Sequence, residues 1–119
     1  MNIVSIFFQI IIALGIFNVW FLRSSKATPY RGKDTTSLQA EFAAYGLPEW
    51  MFYVVGVLKL SAAIALLLGV LIPSLVIPGA SVMAVLMLGA VVMHVKVKDP
   101  INKLLPASIV LLMSIFLLV

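Results

Sequence analysis

The sequence predicts an all-α integral membrane protein, an antiparallel four-helix bundle with a short amphipathic interfacial helix between spans 1 and 2. Three observations carry that expectation. Of the 119 residues, 64% are hydrophobic and 10% are charged, whereas soluble domains are roughly half apolar and about a quarter charged. Four apolar runs each approach the ~20 residues that a helix needs to cross the hydrocarbon core. The charges gather in or beside the connections between those runs, with Lys59 as the exception. The length leaves room for a single four-span domain, residues 1–119.

The first run, Ile3 to Leu22, has no basic residue ahead of it and no small-residue cleavage pattern after it, so it reads as a retained span. Ser5 and Gln9 lie one turn apart on one face, and Asn18 is half a rotation away. Gln9 is expected to make an interhelical hydrogen bond. Trp20 marks the membrane interface, and Arg23 and Lys26 stop the span.

The polar stretch 23–47 begins as a loop, RSSKATPYRGKD, through Pro29, Gly32 and its charges. Thr36 and Gln39 then have capping-box spacing, and Leu38, Phe42 and Tyr45 recur at helical intervals. The spacing predicts a short helix over Ser37 to Tyr45, lying on the membrane surface and ended by Gly46. Pro48 and Glu49 open the second span, which runs to Leu71.

A tight turn, IPSLVIPG, leads into the third span, Pro78 to Val95. Ala80, Met83, Met87, Ala90 and His94 fall on one of its faces. Lys96, Lys98 and Asp99-Pro100 close it, and the last span covers Ile101 to Val119 with Pro106 in its first turn or two. Ser61, Ala65 and Gly69 on the second helix, with Ala80 and Ala84 on the third, are the small residues expected at helix contacts.

Arg23, Lys26, Arg31 and Lys33 follow the first span, and Lys96, Lys98 and Lys103 follow the third. Seven of the eight basic residues therefore lie on one side. That bias predicts that loops 23–47 and 96–103 face the cytoplasm and that both termini face outside, in a bacterial inner membrane. Trp20, Trp50 and Tyr53 join Arg23 and Lys26 as the expected interfacial, lipid-touching residues. The net charge of +4 then serves topology and anionic head groups, since no separate soluble module is present to engage nucleic acid.

Lys59 stands near the middle of the second span, where an ammonium costs about 2.5–3.5 kcal/mol on insertion scales. Two readings stand side by side. In one, Lys59 pairs inside the bundle with a helix carbonyl, Asn18 or Glu49, and fixes helix register. In the other, Lys59, His94, Asn18, Glu49 and Asp99 line a polar pocket in the cytoplasmic half that meets an anionic or carbonyl-bearing ligand, such as a quinone or a lipid. Met83, Met87 and His94 share a face, yet Met93 points away from it and methionine is ordinary core material, so no metal site is expected. The absence of cysteine removes disulfides and any dithiol relay whose thiols come from this chain. No nucleotide-binding glycine loop, nucleophile elbow or zinc-helix motif is present.

Several stretches resemble the DoxX-like family of small four-span bacterial membrane proteins. They are the Gly-Leu-Pro turn at Gly46 to Pro48, the aromatic helix start after it, Gly56-x-x-Lys59-Leu60 and the Leu-rich run ending near Gly69. Gly89 to His94, followed by Lys96, Lys98 and Asp99-Pro100, is similar to the same family. The resemblance implies a four-span bundle, with Lys59, His94 and Asp99 as its family-like polar positions. It also implies links to quinone-connected sulfur oxidation, membrane redox complexes and accessory or assembly roles. The expectation is a non-catalytic accessory or partner-binding subunit, associated with other membrane subunits or with itself. The alternatives are a small multidrug-type transporter and a membrane assembly chaperone. The transporter would need a carboxylate in the first span, where only Gln9 and Asn18 offer side-chain amides.

Overall fold

A computed structural model describes residues 2–22 and 37–119 and contains four helices long and apolar enough to cross a membrane. Helix α1 is Ile3–Phe17, capped by the Asn2 side chain, which accepts from the Ser5 amide at 2.8 Å. It continues as a π-helical turn, Asn18–Leu22. Helix α2 is Leu38–Ala44, α3 is Glu49–Leu68, α4 is Val76–Lys96 and α5 is Ile101–Leu118. A 3₁₀ turn, Pro73–Leu75, links α3 to α4. No strand occurs among the described residues. The helix over 38–44 and all four spans were legible in the apolar pattern. Helix α4 begins two residues before Pro78, because a proline in the first turn gives up an N–H that has no helical partner there.

Each span packs on its neighbour in the chain, α1 on α3, α3 on α4 and α4 on α5, and α5 closes the ring against α1. The core between them is Ile12, Ala13 and Ile16 from α1, Ala62, Ala63 and Leu66 from α3, Ala80, Met83 and Met87 from α4, and Leu117 from α5. Phe7, Leu14, Val57, Val85 and Leu112 point outward and are exposed. An apolar exterior around a packed interior suits hydrocarbon surroundings.

Without a hydrophobic drive between helices in lipid, close approach of small residues carries much of the association. A Cβ on Gly79 would lie 3.2 Å from the Ala65 Cβ, and one on Gly69 would lie 2.8 Å from Val76. Ala65, Gly69 and Ala80 thus take the contact positions expected of them. Ser61 does not. It is exposed and shares the outer face of α3 with Val57, Ile64 and Leu68, because the inward stripe runs through Gly56, Ala63 and Leu66 instead.

Gln9 makes the interhelical bond anticipated for it. Its side chain is fully buried and Nε2 donates to the Leu66 carbonyl at 2.8 Å. The Val70 amide bonds to Leu67, so the Leu66 oxygen is one of the helix-end carbonyls that α3 leaves without a backbone partner. Helix α1 therefore caps α3 from across the core. Ser114, also buried, turns its hydroxyl back onto the Val110 carbonyl at 2.8 Å.

Truncation at Gln9 should be felt across two helices. Gln9→Ala is expected to lower stability by about 1–3 kcal/mol, from a lost hydrogen bond and a core cavity. Thermal unfolding in detergent measures it; a melting temperature equal to the parent's would refute the cap.

Candidate functional site: a polar clasp at the basic end

Two helix ends meet here, and both close in the same way. Helix α2 starts at Ser37, whose hydroxyl accepts from the Ala40 amide at 3.0 Å. The capping residue is therefore Ser37 rather than Thr36, which lies outside the described residues, and Gln39 reaches Glu49 Oε1 at 3.1 Å instead of folding back. At its other end Gly46 takes φ 79°. The Gly46 amide then bonds to the Ala43 carbonyl at 3.0 Å and the Leu47 amide to Phe42 at 3.2 Å, a Schellman closure.

Helix α4 ends in the same motif, with the Lys98 amide on Val95 and the Asp99 amide on His94, both at 3.0 Å. The left-handed position falls on Lys98, at φ 59°, where a side chain is disfavoured. This closure lays Asp99 back over His94. Where such turns usually make an apolar contact, Asp99 Oδ2 and His94 Nδ1 stand 2.8 Å apart.

Tyr45 joins the two ends. Its hydroxyl donates to Glu41 Oε1 at 2.5 Å and lies 3.3 and 3.4 Å from the ring nitrogens of His94. Glu41 Oε1 is itself 3.9 Å from His94 Nε2. A second tie runs from Lys96 Nζ, which donates to the Tyr45 backbone carbonyl at 3.2 Å. Glu41, Tyr45 and His94 are all buried, as is Lys103 in the first turn of α5. Helix α2, expected to lie on the membrane surface, thus presses a polar and aromatic face onto the end of the bundle.

Beneath the clasp is an aromatic layer. Phe42 packs edge-on against Phe52 and Trp20, with ring centres 5.6 and 6.3 Å apart. Trp20 rests on Gly56, where an added Cβ would come within 2.6 Å of the indole. Lys59 Nζ sits 5.8 Å from the centre of the Trp20 ring. The carboxylate that acts on Lys59 electrostatically is Glu41.

The structure brings His94 and Asp99 together and sets Lys59 one layer deeper, against Trp20. Glu49 is exposed and bonded to Gln39, and Asn18 is exposed in the π-helical turn. Glu41 and Tyr45 were not among the expected site residues. Their signal was the i, i+4 pairing of an acid and a phenol on the face that also carries Phe42. Trp50 and Tyr53 are exposed on the first turns of α3, whereas Arg23 and Lys26 lie outside the described residues. Met83 and Met87 share the buried face of α4 with His94 and pack in the core.

Two substitutions test this geometry. Tyr45→Phe removes the donor to a buried carboxylate and should reduce thermal stability by about 1–3 kcal/mol. Tyr53→Phe, at an exposed ring, should stay within about 0.5 kcal/mol of the parent. Lys98→Gly should raise stability by about 1 kcal/mol by relieving the left-handed backbone. Equal effects of the two tyrosine changes, or a loss at Lys98→Gly, would contradict it.

A family model described as the DoxX-like family matches residues 12–117. No curated protein and no solved structure matches the chain. With four membrane-spanning-capable helices in one ring and a match over nearly its whole length, the chain belongs to the DoxX-like family.

Proposed function

We propose that this DoxX-like protein is a non-catalytic accessory or partner-binding subunit of a membrane assembly, with a quinone-linked redox complex as its setting. The observation that carries the reading is how the polar side chains at the basic end are used. The Tyr45 hydroxyl, the His94 imidazole and the carboxylates of Glu41 and Asp99 engage one another while buried. Groups held in that way brace a helix; catalytic groups face a substrate. Beside the braced helix, Trp50 and Tyr53 are 62% and 56% exposed. Exposed Trp and Tyr anchor proteins at the membrane interface and are favoured in partner contacts.

In this reading the clasped end faces the cytoplasm and both termini face outside, in the inner membrane of a bacterium. The cysteine-free sequence supports a role in which any thiol chemistry belongs to a partner.

Purification in a gentle detergent, followed by mass spectrometry of proteins, lipids and quinones, tests the proposal. The expected result is a second membrane protein at fixed stoichiometry, reduced several-fold by Tyr45→Phe. Recovery of the chain alone, or proton-coupled dye efflux by vesicles holding only this chain, would overturn it.

A further inference from the structure

One pair of polar groups lies outside the clasp. Trp20 Nε1 is buried and donates to nothing. Among the described residues Lys59 has no ion pair or hydrogen bond; its company is the face of the same indole and the field of Glu41. An indole N–H and an ammonium are both donors only, so neither can satisfy the other. Buried donors without acceptors are costly, and within a membrane span an ammonium needs a counter-charge close by. Glu41 already receives the Tyr45 hydroxyl and has no oxygen within ion-pair reach of Lys59.

The backbone explains why these donors share one place. Trp20 lies in the π-helical turn Asn18–Leu22, and π turns recur at functional sites. Gly56 gives the indole room to lie flat against α3, one turn before Lys59. Trp20 and Lys59 each keep part of their surface exposed, although the Trp20 Nε1 atom itself is buried. The chain carries a net charge of +4, with Lys96, Lys98 and Lys103 at the same end, which draws anions towards it.

We propose that Trp20 Nε1 and Lys59 Nζ bind the anionic oxygens of a membrane amphiphile, a phosphate or a carboxylate carried on a lipid tail. The ammonium supplies charge and the indole N–H directs one oxygen. The site does not rest on the accessory role, and it does not require any partner protein.

The sequence has two tryptophans, so Trp50→Phe leaves Trp20 as the only indole reporter. In neutral-detergent micelles, phosphatidylglycerol or oleate should change Trp20 emission saturably, whereas phosphatidylcholine and a short-chain quinone should not. Lys59→Met in that background should weaken binding about tenfold, and Lys59→Arg should restore most of it. A response to phosphatidylglycerol alone identifies a lipid phosphate, and a response to oleate alone identifies a fatty carboxylate. Native mass spectrometry of the parent should retain the same amphiphile, which keeps the test decisive if Lys59→Met folds poorly. Equal responses to neutral and anionic probes, or unchanged binding by folded Lys59→Met, would overturn the site.

Discussion

Hydrocarbon offers no hydrogen-bond partner, so a polar group inside this bundle has to look for one within the protein. That constraint organises the molecule more than apolar packing does, because lipid tails compete equally well for apolar surface. Gln9 answers it through Nε2, which caps the end of α3 from α1, while its buried Oε1 is left without a partner. Ser114 answers it within its own helix. At the basic end the answer is collective: Glu41, Tyr45, His94 and Asp99 close on one another and draw α2 onto α4.

The clasp depends on backbone as much as on side chains. Two Schellman closures set the angles at which α2 and α4 finish. One uses a glycine and the other accepts a left-handed lysine. That strained lysine is tolerated because the same turn delivers Asp99 to His94, and a charge-assisted bond outweighs about 1–2 kcal/mol of backbone cost. The Lys96 bond to the Tyr45 carbonyl then ties the two closures directly. Helix α2 has only seven residues and would not persist alone in water, so its helicity is a product of this docking.

Most of the fold could be read in advance, since a span of apolar residues announces itself by length and composition. The short helix was legible for the same reason, from Leu38, Phe42 and Tyr45 at helical spacing and Gly46 after them. The buried face of α4, with Ala80, Met83, Met87 and His94, also followed from spacing alone. What spacing does not contain is rotation between helices. Ser61 looked like a contact residue because it is small, and its helix turned it outward. Glu41 drew no attention in the sequence, and the docking of α2 buried it. Glu49 stands nearer to Lys59 in sequence, yet Glu41 is the acid that acts on it, because α2 folds across the aromatic layer. The π-helical turn that places Trp20 leaves no mark in composition.

The central claim is that α2 is held against the bundle by buried bonds and does not float on the lipid surface. Amide hydrogen exchange in lipid nanodiscs, read at residues 41–47, tests it most directly. Docking predicts protection of the Glu41, Tyr45 and Gly46 amides that approaches the protection within α4. Exchange at the rate of an unstructured peptide across those positions would contradict the account.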